Sequence, residues 1–225
     1  MSTHNPFAFE AGDIDIRIDY RNERMVGKVC SQALIQASPV WKKFLIPPWA
    51  KETSKVEVKE IGCSEDNGEA LLILLNIAHL KFTAVPRHLS YDVLFQIAIL
   101  IDEYQCIQLV SPWVDSWMAN EKAESKLPGQ EGWLFIAWVF GRENILEGLS
   151  KMLVFTAKVN EKGELWRRDE NIPIPEPMPN GLIGKSSSYG LSIIGALKLL
   201  CKYAAADCFP SLKAALLEFL VNALI

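Results

Sequence analysis

Histidine is scarce in this sequence, three residues among 225, and the scarcity limits the chemistry open to it. Nucleophilic catalysis needs a base in hydrogen-bond reach of a nucleophile and a third group to orient it. His4 lies in a polar N-terminal stretch, His79 ends an apolar helical pattern, and His88 follows Pro86-Arg87 in a loop. No G-x-S-x-G elbow is present. Catalysis is therefore not expected. The five cysteines, Cys30, Cys63, Cys106, Cys201 and Cys208, are scattered, with no C-x-x-C pair and no Cys/His zinc spacing. No metal or cofactor is expected.

Basic stripes are missing as well. Net charge is -4 and the pI is near 5.5, while Lys42-Lys43 and Arg167-Arg168 stand as isolated pairs, which argues against a nucleic-acid surface. Apolar runs such as "LLILLNIAHL" and "WLFIAWVF" fall short of the roughly 18 residues that a membrane span requires. "MSTHNPFAFEAGD" has no basic region followed by an apolar core, so it is not read as a secretory signal. A reduced, intracellular protein with no membrane partner is expected, cytoplasmic or nuclear. "GLIGKSSS" (181–188) is read as a loop, because Pro179 occupies the place where a phosphate-binding loop needs its first glycine.

What is present is apolar material: half of the residues are apolar and 22% are charged, enough to bury a sizeable core. "DIDIRID" (13–19) alternates Ile14, Ile16 and Ile18 with charged residues, the period of a strand with one buried face. "YRNER" supplies a turn and "MVGKV" (25–29) a return strand. "SQALIQA" (31–37) reads as two helical turns capped by Ser31. Ser38 then caps a second short helix with Pro39 at its first position, and Pro47-Pro48 ends it. The stretch "LIQASPVWKKFLIPPW" is thus two helices meeting at a capped corner.

"KVEVKEI" (55–61) alternates as a third strand, and helical stripes follow at 68–80, at 85–106 with Ser90 as cap, and at 107–120. In the last of these Pro112 is read as an onset or a kink. The chain divides into an N-terminal tail (1–12), an α+β domain (13–120), a linker (121–131) and an all-helical C-terminal region (132–225). That region holds two helices meeting at Gly141, a proline-rich loop at 160–190, and two further helical patterns.

Several residues in this order resemble the BTB/POZ domain, in the form found in short fungal proteins. They are Gly12-Asp13 before the first strand, Leu34, Ser38-Pro39-Val40-Trp41 and Phe44 in the helical corner, and Asp102, Tyr104, Cys106 and Leu109 in "IDEYQCIQL". "VPRHLS" and "PWVDSWM" add to the likeness. The resemblance covers 13–120, with a looser one over the helical extension. It implies a small β-sheet flanked by helical hairpins and a non-enzymatic protein–protein interaction module that acts as a scaffold. It further implies self-association through the first strand, here Ile14, Ile16 and Ile18, and partner contacts from Trp41, Phe44 and the loop that follows. Some members are substrate adaptors for cullin-based ubiquitin ligases, using an apolar residue with an acid two positions later. Trp49 matches the apolar position, Lys51 stands where the acid belongs, and Glu52 comes one step after it. Trp49 is also a candidate exposed anchor in its own right, because aromatics at such corners commonly anchor binding.

Overall fold

The alternation in "IDIRIDY" becomes the central strand of a three-stranded sheet. The computed structural model describes residues 5–47, 58–159, 165–167, 173–174 and 176–179. Within it, β1 (Ile14–Tyr20) pairs antiparallel with β2 (Glu23–Val29) and parallel with β3 (Glu60–Cys63), in the order β2-β1-β3. Arg21 and Asn22 turn the hairpin with φ of 51° and 65°, a left-handed pair that matches the strands' own twist. Ile14, Ile16 and Ile18 are buried together with Val29, Ile61 and Cys63. The intervening residues form exposed cross-strand ion pairs, Asp15–Lys28 at 2.6 Å, Arg17–Glu60 at 2.8 Å and Asp19–Arg24 at 3.4 Å. Such pairs contribute little energy. Their alternation with isoleucine does fix which face is wet, since a one-residue slip would bury every charge.

α1 (Ser31–Ala37) and α2 (Pro39–Leu45) follow the hairpin. α3 (Gly68–Ala78) starts at Asn67, whose side chain accepts from the N–H of Ala70. α4 (Tyr91–Tyr104) starts at Ser90, whose hydroxyl accepts from Val93, and stops at Gln105 in a left-handed conformation. α5 (Ile107–Trp117) then closes the unit. Leu34, Trp41, Leu71, Leu74, Leu75, Leu94, Ile97 and Val110 make the core between helices and sheet. Each such aliphatic side chain contributes about 1.5–3 kcal/mol on burial. Pro112 sits inside α5 rather than at its onset. It is exposed, as is Gln108 four residues back, so the carbonyl left without a donor is on the wet side of the helix.

The chain separates into two units, Met1–Ala119 and Asn120–Ile225. In the second, α6 (Glu121–Glu124) occupies part of the expected linker. α7 (Trp133–Val139) and α8 (Glu143–Thr156) meet at Gly141, whose φ of 66° gives the chain reversal. Trp133, Leu134, Phe135 and Ile136 of α7 are buried, as are Leu146, Leu149 and Leu153 of α8. This unit is not helical throughout. β4 (Ala157–Val159) and β5 (Leu165–Arg167) form an antiparallel ribbon, with Lys158 opposite Trp166. β5 falls inside the stretch read as a proline-rich loop. The helical patterns after 190 lie outside the described residues.

The N-terminal stretch is the largest correction. Read as a tail, it is instead laid along the outer edge of β2. The Lys28 N–H donates to Phe7 O at 2.9 Å, and the Phe9 N–H donates to Lys28 O at 2.8 Å. The Asn5 side chain donates to Val26 O and accepts from the Phe7 N–H. Phe7 and Phe9 are buried. Gly27 makes this close approach possible: a Cβ there would stand 2.3 Å from Phe7 Cβ. The strap also covers part of a sheet edge that would otherwise present unpaired backbone groups.

Candidate interaction surface

The α1–α2 corner is built around one hydroxyl. Ser38 has extended backbone angles and a buried side chain. Its Oγ accepts from the N–H groups of Val40 and Trp41 at 3.1 and 3.0 Å, the N-cap role the sequence assigns to it. The same hydroxyl donates to the main-chain carbonyl of Tyr104 at 2.6 Å, joining the corner to the end of α4. The first helix is capped differently from expectation. Cys30, not Ser31, is its N-cap residue, and it makes no side-chain cap bond. Ser31 donates from both N–H and hydroxyl to the Asp13 carboxylate, at 2.7 and 2.6 Å. Those bonds hold the Asp13 carboxyl below its ordinary pKa.

Trp41 is not available to a partner. It is buried against Tyr104, with ring centroids 4.8 Å apart, because the apolar stripe of α2 faces α4. Ile14, Ile16 and Ile18 are likewise core residues of the central strand, so they offer no surface for self-association. Phe44 is different: it is 51% exposed, and Ile46 just beyond the helix is 57% exposed. Ile46 lines a groove of about 410 Å3 together with Asp13, Lys28, Ile35, Leu45 and Lys59. Trp49, Lys51 and Glu52 lie outside the described residues.

A second groove, of about 760 Å3, lies between the β1–β2 turn and the start of α3. Its lining carries both signs of charge: Asp19, Asp66 and Glu69 with Arg21 and Arg24. Beneath it, Tyr104 OH donates to Asp66 Oδ2 at 2.5 Å, and Cys63 Sγ is 3.9 Å from the same hydroxyl. Burial is the main cause of raised pKa values in all three, with Cys63 pushed up to about 12. Burial also pushes Cys106 to about 12. Neither cysteine supplies a thiolate at neutral pH.

His79 is committed to structure. Its Nε2 accepts from the Cys30 N–H at 2.9 Å, so Nδ1 carries the proton and donates to Leu75 O at 2.8 Å. Its ring stacks on Phe9 at 4.0 Å, and Lys81 Nζ stands 4.7 Å from the Phe9 centroid. The imidazole therefore holds the N-terminal strap, the start of α1 and the end of α3 together. Sequence reasoning missed this arrangement. The period-two pair in "FAF" (7–9) was the signal available for the strap.

Among the described residues no group of three His, Cys, Asp or Glu side chains is arranged to hold a metal ion, and no helix is long and apolar enough to cross a membrane. No family model matches the sequence, and no curated protein matches it closely enough to count as a relative.

Proposed function

We propose that this chain is a non-enzymatic protein–protein interaction module of BTB/POZ type, a scaffold that associates with a second copy of itself. The observation that carries the reading is the exposed apolar pair at the C-terminal end of the α1–α2 corner. Phe44 and Ile46 are both more than half exposed there, on a support made rigid by Ser38. Large apolar side chains held out from a fixed support are what an interface core uses. The element order adds support: a hairpin, two cornered helices, a strand parallel to the first, then three helices. This is the order in which the residues resembling BTB/POZ proteins occur.

On this reading the function lies in burial of Phe44, Ile46 and the adjoining groove on association, with Lys28, Lys59 and Asp13 setting polar specificity at its rim. The test is the solution mass of the full chain, alone and with both apolar residues replaced by serine. Association lost in the double variant agrees with the proposal. A wild-type chain that stays monomeric at high concentration contradicts it.

A further inference from the structure

A different part of the first unit breaks a local rule without benefit to the fold. α3 ends in a Schellman motif: Lys81 N–H donates to Asn76 O at 2.8 Å, and Leu80 N–H donates to Ile77 O at 3.0 Å. That geometry places Leu80 at φ 60°, where glycine is the usual residue and a Cβ is disfavoured. The leucine is also 74% exposed, so its side chain gains little from burial. Strain and exposure coincide at one residue, a combination expected where a site serves something other than stability.

The surroundings extend the surface. Phe82, 50% exposed, lies on the single 3-10 turn Phe82–Ala84 and packs against Trp113 of α5, with centroids 5.5 Å apart. Trp113 in turn stacks on Trp117 at 6.4 Å. The chain beyond the turn is tied to the same helix. Trp117 Nε1 donates to Pro86 O at 2.8 Å, and Ser116 Oγ donates to Arg87 O at 2.6 Å. Phe82 and Trp113 therefore belong to one fixed surface, and Leu80 is exposed two residues before Phe82 in the chain.

The segment between α3 and α4 is basic: residues 80–90 contain Lys81, Arg87 and His88 and no acid, in a chain of net charge -4, and the next acid is the exposed Asp92 on α4. Lys81, Arg87 and His88 are exposed. The exposed acid on α5, Asp115, comes two positions after Trp113, a rotation of about 200° around the helix, so it stands on the other side of α5 from Trp113.

From this geometry we infer that Leu80, Phe82 and Trp113 form a docking surface for an acidic amphipathic segment of another protein. Apolar side chains of that segment seat on Leu80 and Phe82, and its carboxylates meet Lys81 and Arg87. None of these residues belongs to the α1–α2 corner, so the inference stands apart from self-association.

The test uses the full chain and a short fluorescent peptide with Leu and Phe at helical spacing among glutamates. One control peptide has every glutamate changed to lysine, and another has Leu and Phe changed to serine. Fluorescence anisotropy is expected to show the glutamate peptide binding about tenfold more tightly than the lysine peptide, with the difference shrinking as salt rises. The serine peptide is expected to lose binding. Leu80→Gly separates binding from folding, because glycine suits the left-handed position. Its melting temperature should stay level or rise while peptide affinity drops by about fivefold or more. Phe44→Ser/Ile46→Ser should bind the peptide as the wild type does. Equal binding of the glutamate and lysine peptides, wild-type affinity in Leu80→Gly, or no binding at about 1 mM peptide would each overturn the inference.

Discussion

The Ser38 hydroxyl and the Tyr104 carbonyl are 2.6 Å apart, and through that bond the helical corner is fastened to the end of α4. Because the same oxygen accepts from Val40 and Trp41, one side chain satisfies three buried or part-buried backbone groups. Ser38→Ala removes the cap and leaves the Tyr104 carbonyl unpaired. Loss of a cap costs about 0.5–2 kcal/mol, and an orphaned buried acceptor adds about 1–3 kcal/mol. Urea unfolding of Ser38→Ala should show a loss of about 1.5–5 kcal/mol on these figures. A loss under about 0.5 kcal/mol, the range of a neutral surface change, would mean that the corner is not held this way.

The strap and Gly27 should behave as one unit. Gly27→Ala drives a methyl group into Phe7, and overpacking of this kind costs about 1–3 kcal/mol. Phe7→Ala keeps the Cβ that faces Gly27 but removes the buried ring that anchors the strap. Their effects should fall well short of additive in a double-mutant cycle, because either change releases the strap. Additive losses would place Gly27 and Phe7 in separate interactions.

His79 gives a pH dependence of known sign. Burial is the largest cause holding its pKa below the ordinary value of 6.5, with a smaller contribution from Lys81, while the Leu75 carbonyl acts the other way. The folded state therefore favours neutral imidazole, whose Nε2 must accept from Cys30. A base with a lowered folded pKa contributes stability that is complete above 6.5. That stability is lost as pH falls through the unfolded pKa toward the folded one. The stability difference between wild type and His79→Leu should shrink as pH drops below that point, measured by urea midpoints at matched ionic strength. A difference that is flat or grows on acidification contradicts the assignment.

Asp66 has the opposite sign. Burial raises its pKa, and the hydrogen bond from Tyr104 works against that rise. In Tyr104→Phe the carboxylate loses its donor, and a lost hydrogen bond to a charged group costs about 1.5–3 kcal/mol. Because the cost belongs to the ionised form, the variant should be most destabilised at neutral pH and recover relative to wild type as Asp66 protonates in acid. Equal destabilisation at neutral and acid pH would assign the loss to packing alone.

Much of the first unit was legible because its signals are local. The isoleucine alternation in β1, Ser38-Pro39 at the corner and Ser90 before α4 all act within a few residues, and each appears where its chemistry places it. The turn at Gly141 is another local signal. What escaped is non-local. The strap depends on Gly27, about twenty residues on. Asp13 reaches Ser31 across the hairpin, which displaced the cap expected of Ser31. Of the strand read at 55–61, residues 55–57 lie outside the described residues; β3 begins at Glu60, after Val58 and Lys59, where pairing with β1 sets its extent. Trp41 was misjudged for the same reason: a helical stripe does not say which of its members faces a neighbouring helix. The ribbon at β4–β5 is short, and nothing in its sequence competes with the helical pattern before it.

The central claim is that Phe44 and Ile46 form the core of a self-association surface, and light scattering on the eluting peak of a sizing column tests it most directly. At roughly 10–100 µM, a range suited to a modest dimer, the wild type should run at about twice the 25.3 kDa mass of the chain. Phe44→Ser/Ile46→Ser should run at the single-chain mass with an unchanged melting temperature. A wild-type monomer across that range, or a double variant that still dimerises, would contradict the account.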